Sequence, residues 1–294
     1  MWLHLLRALR PRQWIKNLLV FVGVIFAKKL GEVPLVLLAV EAFFAFCALA
    51  SAAYLLNDLI DLERDRMHPR KRQRPLAAGD LSPRVALWAS LVLTLVAYGL
   101  AAHVGVPFVL VLLIYHILTL SYTYWMKNVV ILDILAVATM FVIRAVAGAV
   151  AVAVEISPWL VVCTTFLALF LTINKRRSEL VTLERAAMEH RETLAEYSPQ
   201  LLDHMSTAVT AATIISYALY TLDPGTVARV GGRGLELTIP FVLFGIFRYM
   251  YLTYQANEGG APEHVLLTDR PLLLSVLLWA LVVIAVLYHA QLVE

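Results

Sequence analysis

The sequence predicts an all-α protein: a polytopic membrane bundle of nine transmembrane helices around a central cavity that opens to the cytoplasm. Hydrophobic residues make up 61% of the 294 residues and charged residues only 15%, whereas soluble domains are roughly 45–50% apolar and about a quarter charged. Apolar runs long enough to cross a bilayer recur along the chain. Basic residues also fall mainly on one side when nine spans are drawn.

Nine segments match the requirement of about 20 mostly apolar residues for a spanning helix. In chain order they are residues 14–27, 35–56, 85–102, 106–124, 129–152, 158–173, 205–222, 237–254 and 271–289. The first is short, and by its length alone it could be a re-entrant or interfacial segment. The near-continuous series favours one transmembrane domain over residues 1–294, with long cytoplasmic loops at about residues 57–84 and 174–204.

The basic residues indicate how the chain crosses the membrane. With nine spans and a cytoplasmic N-terminus, 18 of the 24 basic residues lie on the cytoplasmic side and 4 on the other, with Arg144 and Arg248 inside helices. Removing the first span would place the basic N-terminus opposite the basic loop at residues 64–74, against the positive-inside rule. We therefore expect a multi-pass protein of the cell (inner) membrane, with its N-terminus and active site in the cytoplasm.

The cysteines and the overall charge exclude several classes of site. Cys47 and Cys163 both lie inside apolar runs, which suits neither a disulfide framework nor a thiolate metal site. The net charge is +3, and no nucleic-acid partner is expected. The sequence leaves a homo-oligomer open.

The second cytoplasmic loop has apolar residues at a helical spacing. They are Leu180, Leu183, Ala187 and Leu194, with charged residues between them. This pattern predicts an amphipathic helix on the membrane face. It could be a solvated surface helix or a lid over a site.

The second predicted helix ends in a group of acidic residues. Asp58, Asp61 and Asp65 are spaced i, i+3 and i+7, which predicts three carboxylates on one helical face, and Asn57 lies one turn before Asp61. Such carboxylates repel one another and are costly beside lipid, so a cation is expected to neutralise them. Hard oxygen ligands suit Mg²⁺, which combines carboxylates with substrate phosphates and water. We expect all four residues to bind Mg²⁺, with Asp58 and Asp61 catalytic.

A basic loop follows these carboxylates at once. Residues 66–79 read Arg-Met-His-Pro-Arg-Lys-Arg-Gln-Arg-Pro-Leu-Ala-Ala-Gly. Arginine forks bind phosphate oxygens bidentately, so this arrangement indicates a site for a metal and a polyphosphate, with Arg70, Lys71 and Arg74 as phosphate contacts. The basic residues alone would also fit an ordinary cytoplasmic loop beside a network of salt bridges.

The motif Asn-Asp-x-x-Asp-x-x-x-Asp-Arg that begins at Asn57 resembles that of the UbiA superfamily of intramembrane prenyltransferases. Further motifs are similar to its decaprenyl-phosphate phosphoribosyltransferase branch. They are Arg-Pro-x-Gln-Trp-x-Lys-Asn from Arg10, His-Pro-x-Lys-Arg-x-Arg-Pro-x-Ala-Ala-Gly from His68, Ile-Arg-Ala-x-Ala-Gly from Ile143 and Lys-Arg-x-x-Glu-Leu from Lys175. The acidic motif marks the superfamily, and the combination, from about Arg7 to the last helix, is specific to the branch.

The resemblance implies a glycosyltransferase of the pentosyl type that acts in the biosynthesis of a cell wall precursor. It would transfer 5-phosphoribose from 5-phosphoribosyl 1-diphosphate to a polyprenyl (decaprenyl-like) phosphate at the cytoplasmic membrane face, with Mg²⁺, and release diphosphate. The expected donor phosphate and ribose contacts, besides those of the basic loop, are Lys16, Lys127, Asp133, Arg144, Lys175, Arg176 and Glu179.

The sequence departs from the superfamily pattern after the sixth helix. Ordinary members carry a second Asp-x-x-x-Asp cluster there, whereas residues 174–179 read Asn-Lys-Arg-Arg-Ser-Glu. Cations that bind phosphate directly favour a donor with an additional phosphate over a prenyl diphosphate. An aromatic prenyltransferase of the same fold is the first alternative. A lipid or small-molecule transporter is the second, although the internal repeats frequent in transporters are not evident.

Two charged residues fall within the fifth predicted helix. Asp133 and Arg144 are eleven residues apart, so they face the same way about 16 Å apart along the axis. A charge near mid-bilayer costs at least about 2.5 kcal/mol. Arg144 is therefore either a structural partner between helices or, as we favour, a ligand of a phosphate in the cavity. Lys127 and Asp133, nearer the mouth, could contact the donor's phosphates and ribose hydroxyls.

Overall fold

A computed structural model of the chain describes residues 2–67, 71–184, 196–255 and 261–293, with side chains except at 182–184 and 290–293. Within these ranges the chain is helical and contains no strand, so the all-α prediction is confirmed. The α-helices are α1 (Trp2–Ala8), α2 (Phe21–Phe26), α3 (Val33–Ile60), α4 (Leu62–Met67), α5 (Pro83–Val104), α6 (Val106–Tyr124), α7 (Leu132–Ala151), α8 (Pro158–Glu184), α9 (Pro199–Leu222), α10 (Pro224–Val230), α11 (Ile239–Tyr254), α12 (Pro262–Thr268) and α13 (Arg270–Val293). Short 3-10 helices cover Pro11–Val20, Lys71–Gln73, Met126–Asn128 and Leu235–Thr238.

Eight helical segments among the described residues are long and apolar enough to cross a membrane. They correspond to the second to ninth predicted spans. The first predicted span is a 3-10 helix, Pro11–Val20, followed by the short α2. At about 2.0 Å per residue for a 3-10 helix and 1.5 Å for an α-helix, these two pieces extend at most about 29 Å, close to the hydrocarbon thickness of about 30 Å. The number of nine spans stays a prediction.

Two helices extend beyond their apolar runs. Helix α8 continues to Glu184, eleven residues beyond the predicted end of the sixth span at residue 173. Glu179 pairs with Arg176 at 2.7 Å and lies 3.9 Å from Lys175, and such pairs one turn apart stabilise a helix. Helix α9 starts at residue 199, six residues earlier than predicted, because the Ser198 hydroxyl accepts from Leu201 N (3.1 Å) and caps it. The predicted amphipathic helix through Ala187 and Leu194 lies outside the described residues.

The chain divides into two compact units, of which unit 1 comprises Met1–Val24, Lys29–Lys127 and Ile143–Glu155. Its helices α3 and α5 pack along each other. Small residues dominate the buried positions, namely Ala39, Ala42, Ala45 and Ala52 of α3 and Ala86, Ala97 and Ala101 of α5. The Ser90 hydroxyl donates to the Ala52 carbonyl at 3.0 Å. Small residues let helix backbones approach closely in lipid, where apolar burial alone does not drive association.

Two glycines of unit 1 bring backbone against backbone. A Cβ atom placed on Gly148 of α7 would overlap the carbonyl oxygen of Val20, and one on Gly23 of α2 would lie 2.6 Å from Ala149 N. A hydrogen side chain is therefore required at both positions. Gly99 of α5 differs, since nothing lies within 4 Å of a Cβ placed there.

A polar contact marks the first third of α3. Oε2 of Glu41 lies 2.6 Å from Nδ1 of His103, near the end of α5. The Glu41 side chain is 30% exposed. It precedes Asp58 by seventeen residues along the same helix.

Unit 2 comprises Ile25–Lys28, Asn128–Val142 and Ile156–Glu294. Within it α8 packs along α9 and α11 along α13. Arg248 of α11 donates to both oxygens of Asp269, from Nε at 3.1 Å and from Nη2 at 2.8 Å. Asp269 also caps α13 by accepting from Leu272 N. The hydrogen bonds from Arg248 hold the pKa of Asp269 below its usual value.

Candidate active site

The acidic end of α3 lies in unit 1 and is neutralised by arginines. Asp58 is only 2% exposed, and its Oδ1 accepts from Arg10 Nη2 at 2.5 Å and from Arg74 Nη1 at 3.0 Å. The same Nη1 atom donates to Oδ2 of Asp65 at 2.6 Å. Two buried carboxylates therefore share one guanidinium group.

Asp61 contacts a different cation. It lies at the break between α3 and α4, and both its carboxylate oxygens are 3.4 Å from Lys127 Nζ. Among the described residues, no three His, Cys, Asp or Glu side chains gather as a ready-made metal site. The predicted group of three carboxylates is therefore present only in part: Asp58 and Asp65 share Arg74, whereas Asp61 contacts Lys127 instead.

The chemistry of this donor set still fits a divalent ion. The carboxylates of Asp58, Asp61 and Asp65 and the amide of the half-buried Asn57 offer hard oxygen ligands of the kind that Mg²⁺ prefers. Arg74 Nη1 lies between Asp58 and Asp65 at hydrogen-bond distance from both. The space between these two carboxylates thus accepts positive charge, here that of the Arg74 guanidinium.

A cleft of about 180 Å³ opens beside Asp58. Its lining residues are Arg7, Ala8, Arg10, Asp58, Gln73, Arg74 and Pro75. Arg10 adopts a left-handed backbone conformation, with φ of 55°, and its guanidinium lies 4.8 Å from the centre of the Tyr54 ring. Sequence reasoning did not identify Arg10 as the partner of Asp58, because the left-handed backbone conformation at Arg10 has no evident sequence signal.

Arg144 belongs to a buried network in unit 1. It is 5% exposed, and it donates from Nε to Asn17 Oδ1 at 2.8 Å and from Nη2 to the Tyr115 hydroxyl at 2.6 Å. These contacts match the alternative in which Arg144 is a structural partner between helices, rather than the favoured phosphate ligand. Asn17 and Tyr115 were not identified as partners of Arg144, because they lie 127 and 29 residues away from it along the chain.

Asp133 is the centre of a buried network in unit 2. It is 2% exposed and accepts from Arg176 Nε and from the Tyr197 hydroxyl, both at 2.8 Å. The Tyr197 oxygen in turn accepts from Ile131 N at 2.6 Å. Burial raises the pKa of Tyr197, so its hydroxyl stays protonated and donates. Asp133 and Arg176, both predicted to contact the phosphoribosyl donor, therefore neutralise each other in the interior. This arrangement favours a structural role for both residues over direct contact with the substrate.

Lys175 and Glu179 are the accessible members of the second basic motif. Their side chains are 36% and 31% exposed, whereas that of Arg176 is 6% exposed. A cation that is held loosely by a carboxylate can exchange that partner for a phosphate. Lys175 is thus better placed than Arg176 for direct contact.

The remaining predicted contacts lie at the start of the chain and in the basic loop. Lys16 donates to Gln13 within the first 3-10 helix. Lys71 is half-buried at the start of the 3-10 helix that precedes Arg74. Arg70 lies outside the described residues.

Solved structures share this fold. A UbiA homologue from Archaeoglobus fulgidus, bound to GPP and Mg²⁺, superposes with a TM-score of 0.71 over 97% of this chain and 99% of that chain, at 20% sequence identity. A UbiA homologue from Aeropyrum pernix K1 gives a TM-score of 0.68 over 96% of this chain and 99% of its own, at 16% identity. Similarity at these identities establishes the fold alone.

Curated relatives cover nearly the whole chain. The decaprenyl-phosphate phosphoribosyltransferase of Corynebacterium glutamicum is 34% identical over 97% of this chain and 86% of its own length. The enzyme of that name from Mycolicibacterium smegmatis is 33% identical over 97% of this chain and 93% of its own. The family model described as "UbiA prenyltransferase family" matches residues 17–263. This multi-pass membrane chain is therefore a member of the UbiA prenyltransferase family.

Proposed function

We propose that the chain transfers 5-phosphoribose from 5-phosphoribosyl 1-diphosphate to a polyprenyl phosphate at the cytoplasmic face of the inner membrane. The observation that carries this proposal is the similarity to decaprenyl-phosphate phosphoribosyltransferases over 97% of the chain. The exposed Lys175, at the position where ordinary superfamily members have carboxylates, supports a donor with an additional phosphate.

The acidic end of α3 is the proposed metal site. Asn57, Asp58, Asp61 and Asp65 would hold Mg²⁺, and a bound Mg²⁺ would supply positive charge to stabilise the departing diphosphate. The shared guanidinium of Arg74 supports this role, because it shows that Asp58 and Asp65 accept a common cation.

The basic side chains beside this metal site are proposed to bind phosphate oxygens of the donor. Lys127 lies beside Asp61, and Arg74 lies beside Asp58 and Asp65. Lys175 serves the same purpose at the exposed part of its motif, and Lys16, Arg70, Lys71 and Glu179 remain further donor contacts. Asp133, Arg144 and Arg176, each buried in a hydrogen-bonded network, act by positioning the helices that carry the others.

The transfer itself needs no general base. The bond between the anomeric carbon and the diphosphate oxygen breaks, and diphosphate leaves with the electron pair. An oxygen of the lipid phosphate forms the new bond to that carbon from the opposite face. This nucleophile is anionic at neutral pH, so no proton has to be removed from it.

Radiolabelled 5-phosphoribosyl 1-diphosphate, incubated with the purified protein and polyprenyl phosphates of several lengths, tests the proposal. We expect labelled lipid and released diphosphate with Mg²⁺ and neither after the metal is chelated. Product from prenyl diphosphate and an aromatic acid, with none from phosphoribosyl diphosphate, would instead identify an aromatic prenyltransferase. Transport without substrate-dependent release of diphosphate would identify a transporter.

Replacing Lys175 with alanine is expected to raise the KM for phosphoribosyl diphosphate about tenfold, because one charge-assisted hydrogen bond to phosphate is lost. The KM for polyprenyl phosphate should change far less. Arg229→Ala is the matched control, since Arg229 is also an exposed cation of unit 2 and lies on a different helix, α10. Equal increases in both KM values for Lys175→Ala would contradict the assignment.

A further inference from the structure

The cleft beside Asp58 has an excess of positive charge. Three arginines and one carboxylate line it, which gives three positive charges against one negative charge, or +2. Asp65 pairs with Arg74 but does not line the cleft. When Asp65 is counted as well, the net charge is still +1. The volume of the cleft, about 180 Å³, is well above the roughly 30 Å³ that one water molecule occupies in the liquid. The cleft is thus suited to an anion larger than water.

The arginines can bind such an anion without releasing Asp58. Arg10 uses Nη2 and Arg74 uses Nη1 for the shared carboxylate oxygen, and each guanidinium has five N–H donors in a planar fork. Arg7 is exposed on α1, and Gln73 adds an amide. Arginine forks are suited to phosphate because they donate two parallel hydrogen bonds to its oxygens.

We infer that this cleft is a subsite for a phosphate monoester. A monoester carries a charge of about −1.5 to −2 and three terminal oxygens, which complements a lining with a formal charge of +2 and three guanidinium groups. The inference rests on the proposed function, in which both substrates have such a group: the 5-phosphate of the donor and the phosphate of the lipid acceptor. It adds Arg7, Arg10 and Gln73 to the phosphate-binding residues and places Arg74, already proposed as one of them, in the same cleft.

Arg7→Gln is the variant that tests the subsite with least disturbance. Arg7 is exposed, whereas removal of Arg10 or Arg74 would also deprive the buried Asp58 of a partner. Arg84→Gln is the matched control, because Arg84 is an exposed arginine of unit 1 that does not line the cleft. Thermal stabilisation of the purified full-length protein is measured with ribose 5-phosphate, with farnesyl phosphate and with uncharged farnesol.

We expect at least one monoester to raise the Tm of the unmodified protein and of Arg84→Gln. In Arg7→Gln the concentration for half-maximal stabilisation should rise about tenfold for that ligand. A change confined to ribose 5-phosphate assigns the cleft to the donor, and a change confined to farnesyl phosphate assigns it to the acceptor. Equal half-maximal concentrations in Arg7→Gln and the unmodified protein, or equal stabilisation by farnesol, would overturn the inference.

Turnover measured on the same preparations separates this inference from the proposed function. If the unmodified protein transfers phosphoribose and Arg7→Gln binds both monoesters normally, the subsite is rejected and the function stands. If Arg7→Gln binds a monoester less tightly but no transfer occurs in the unmodified protein, the subsite stands and the proposed reaction is rejected.

Discussion

Replacing Asp61 with asparagine is expected to lower the rate of phosphoribosyl transfer at least about 100-fold while the fold is retained. Loss of a group that stabilises developing charge typically costs about 10² to 10³ in kcat. Asparagine keeps the shape of the side chain, and Asp61 is partly exposed, with Lys127 at the long distance of 3.4 Å. The measurements are kcat with phosphoribosyl diphosphate and polyprenyl phosphate, together with the Tm in detergent.

Asp80→Asn is the control for this experiment, since Asp80 is an exposed carboxylate of unit 1 whose Oδ2 lies 3.3 Å from His4 Nδ1. It should retain near-normal turnover. Asp58 is a less suitable test, because its loss would leave Arg10 and Arg74 without their shared carboxylate and would destabilise the fold as well. Near-normal turnover of Asp61→Asn with an unchanged Tm would remove Asp61 from the metal site.

Gly148→Ala is expected to destabilise the protein by at least about 3 kcal/mol, at or beyond the upper end of the usual cost of overpacking. The added methyl group would overlap the carbonyl oxygen of Val20. Because the contact is with backbone rather than with a side chain, no change of rotamer relieves it. A much lower Tm and a smaller yield of monodisperse protein should be observed after purification in detergent.

Gly99→Ala separates the steric clash from a general effect of alanine in a helix. Gly99 lies in α5 with open space around it, so alanine should leave the Tm unchanged or raise it slightly, because alanine favours helix. If Gly148→Ala has the same Tm as Gly99→Ala, the close approach of residue 148 to Val20 does not contribute to stability.

The fold could be predicted from hydropathy because a chain in lipid must satisfy its backbone polar groups internally, as a helix does. Each spanning helix therefore coincides with a long apolar segment of the sequence. The ends of α8 and α9 could not be predicted in this way. They extend through polar residues that satisfy the helix by other means: the Arg176–Glu179 ion pair in α8 and the Ser198 cap before α9. The length of the first segment was a poor guide to whether it spans the membrane, because a 3-10 helix covers more distance with fewer residues.

The candidate site could be predicted only in part. The sequence identified the acidic residues and the basic loop that follows them, because they are close along the chain. It did not pair Arg10 with Asp58, 48 residues away, or Asn17 with Arg144, 127 residues away. The spacing argument correctly brought Asp58 and Asp65 together, but it could not predict that Asp61 contacts Lys127, 66 residues away along the chain.

The length of α3 between its two carboxylates has a consequence for the depth of the site. Glu41 and Asp58 are seventeen residues apart, or roughly 26 Å along the axis, and a typical hydrocarbon core is about 30 Å thick. The predicted span at residues 35–56 includes Glu41 and ends before Asp58, so Asp58 lies just beyond the apolar segment, where it is 2% exposed. A charged substrate that reaches Asp58 would therefore not have to enter the apolar segment of this helix, and the burial of Asp58 would limit the access of water that could hydrolyse the donor.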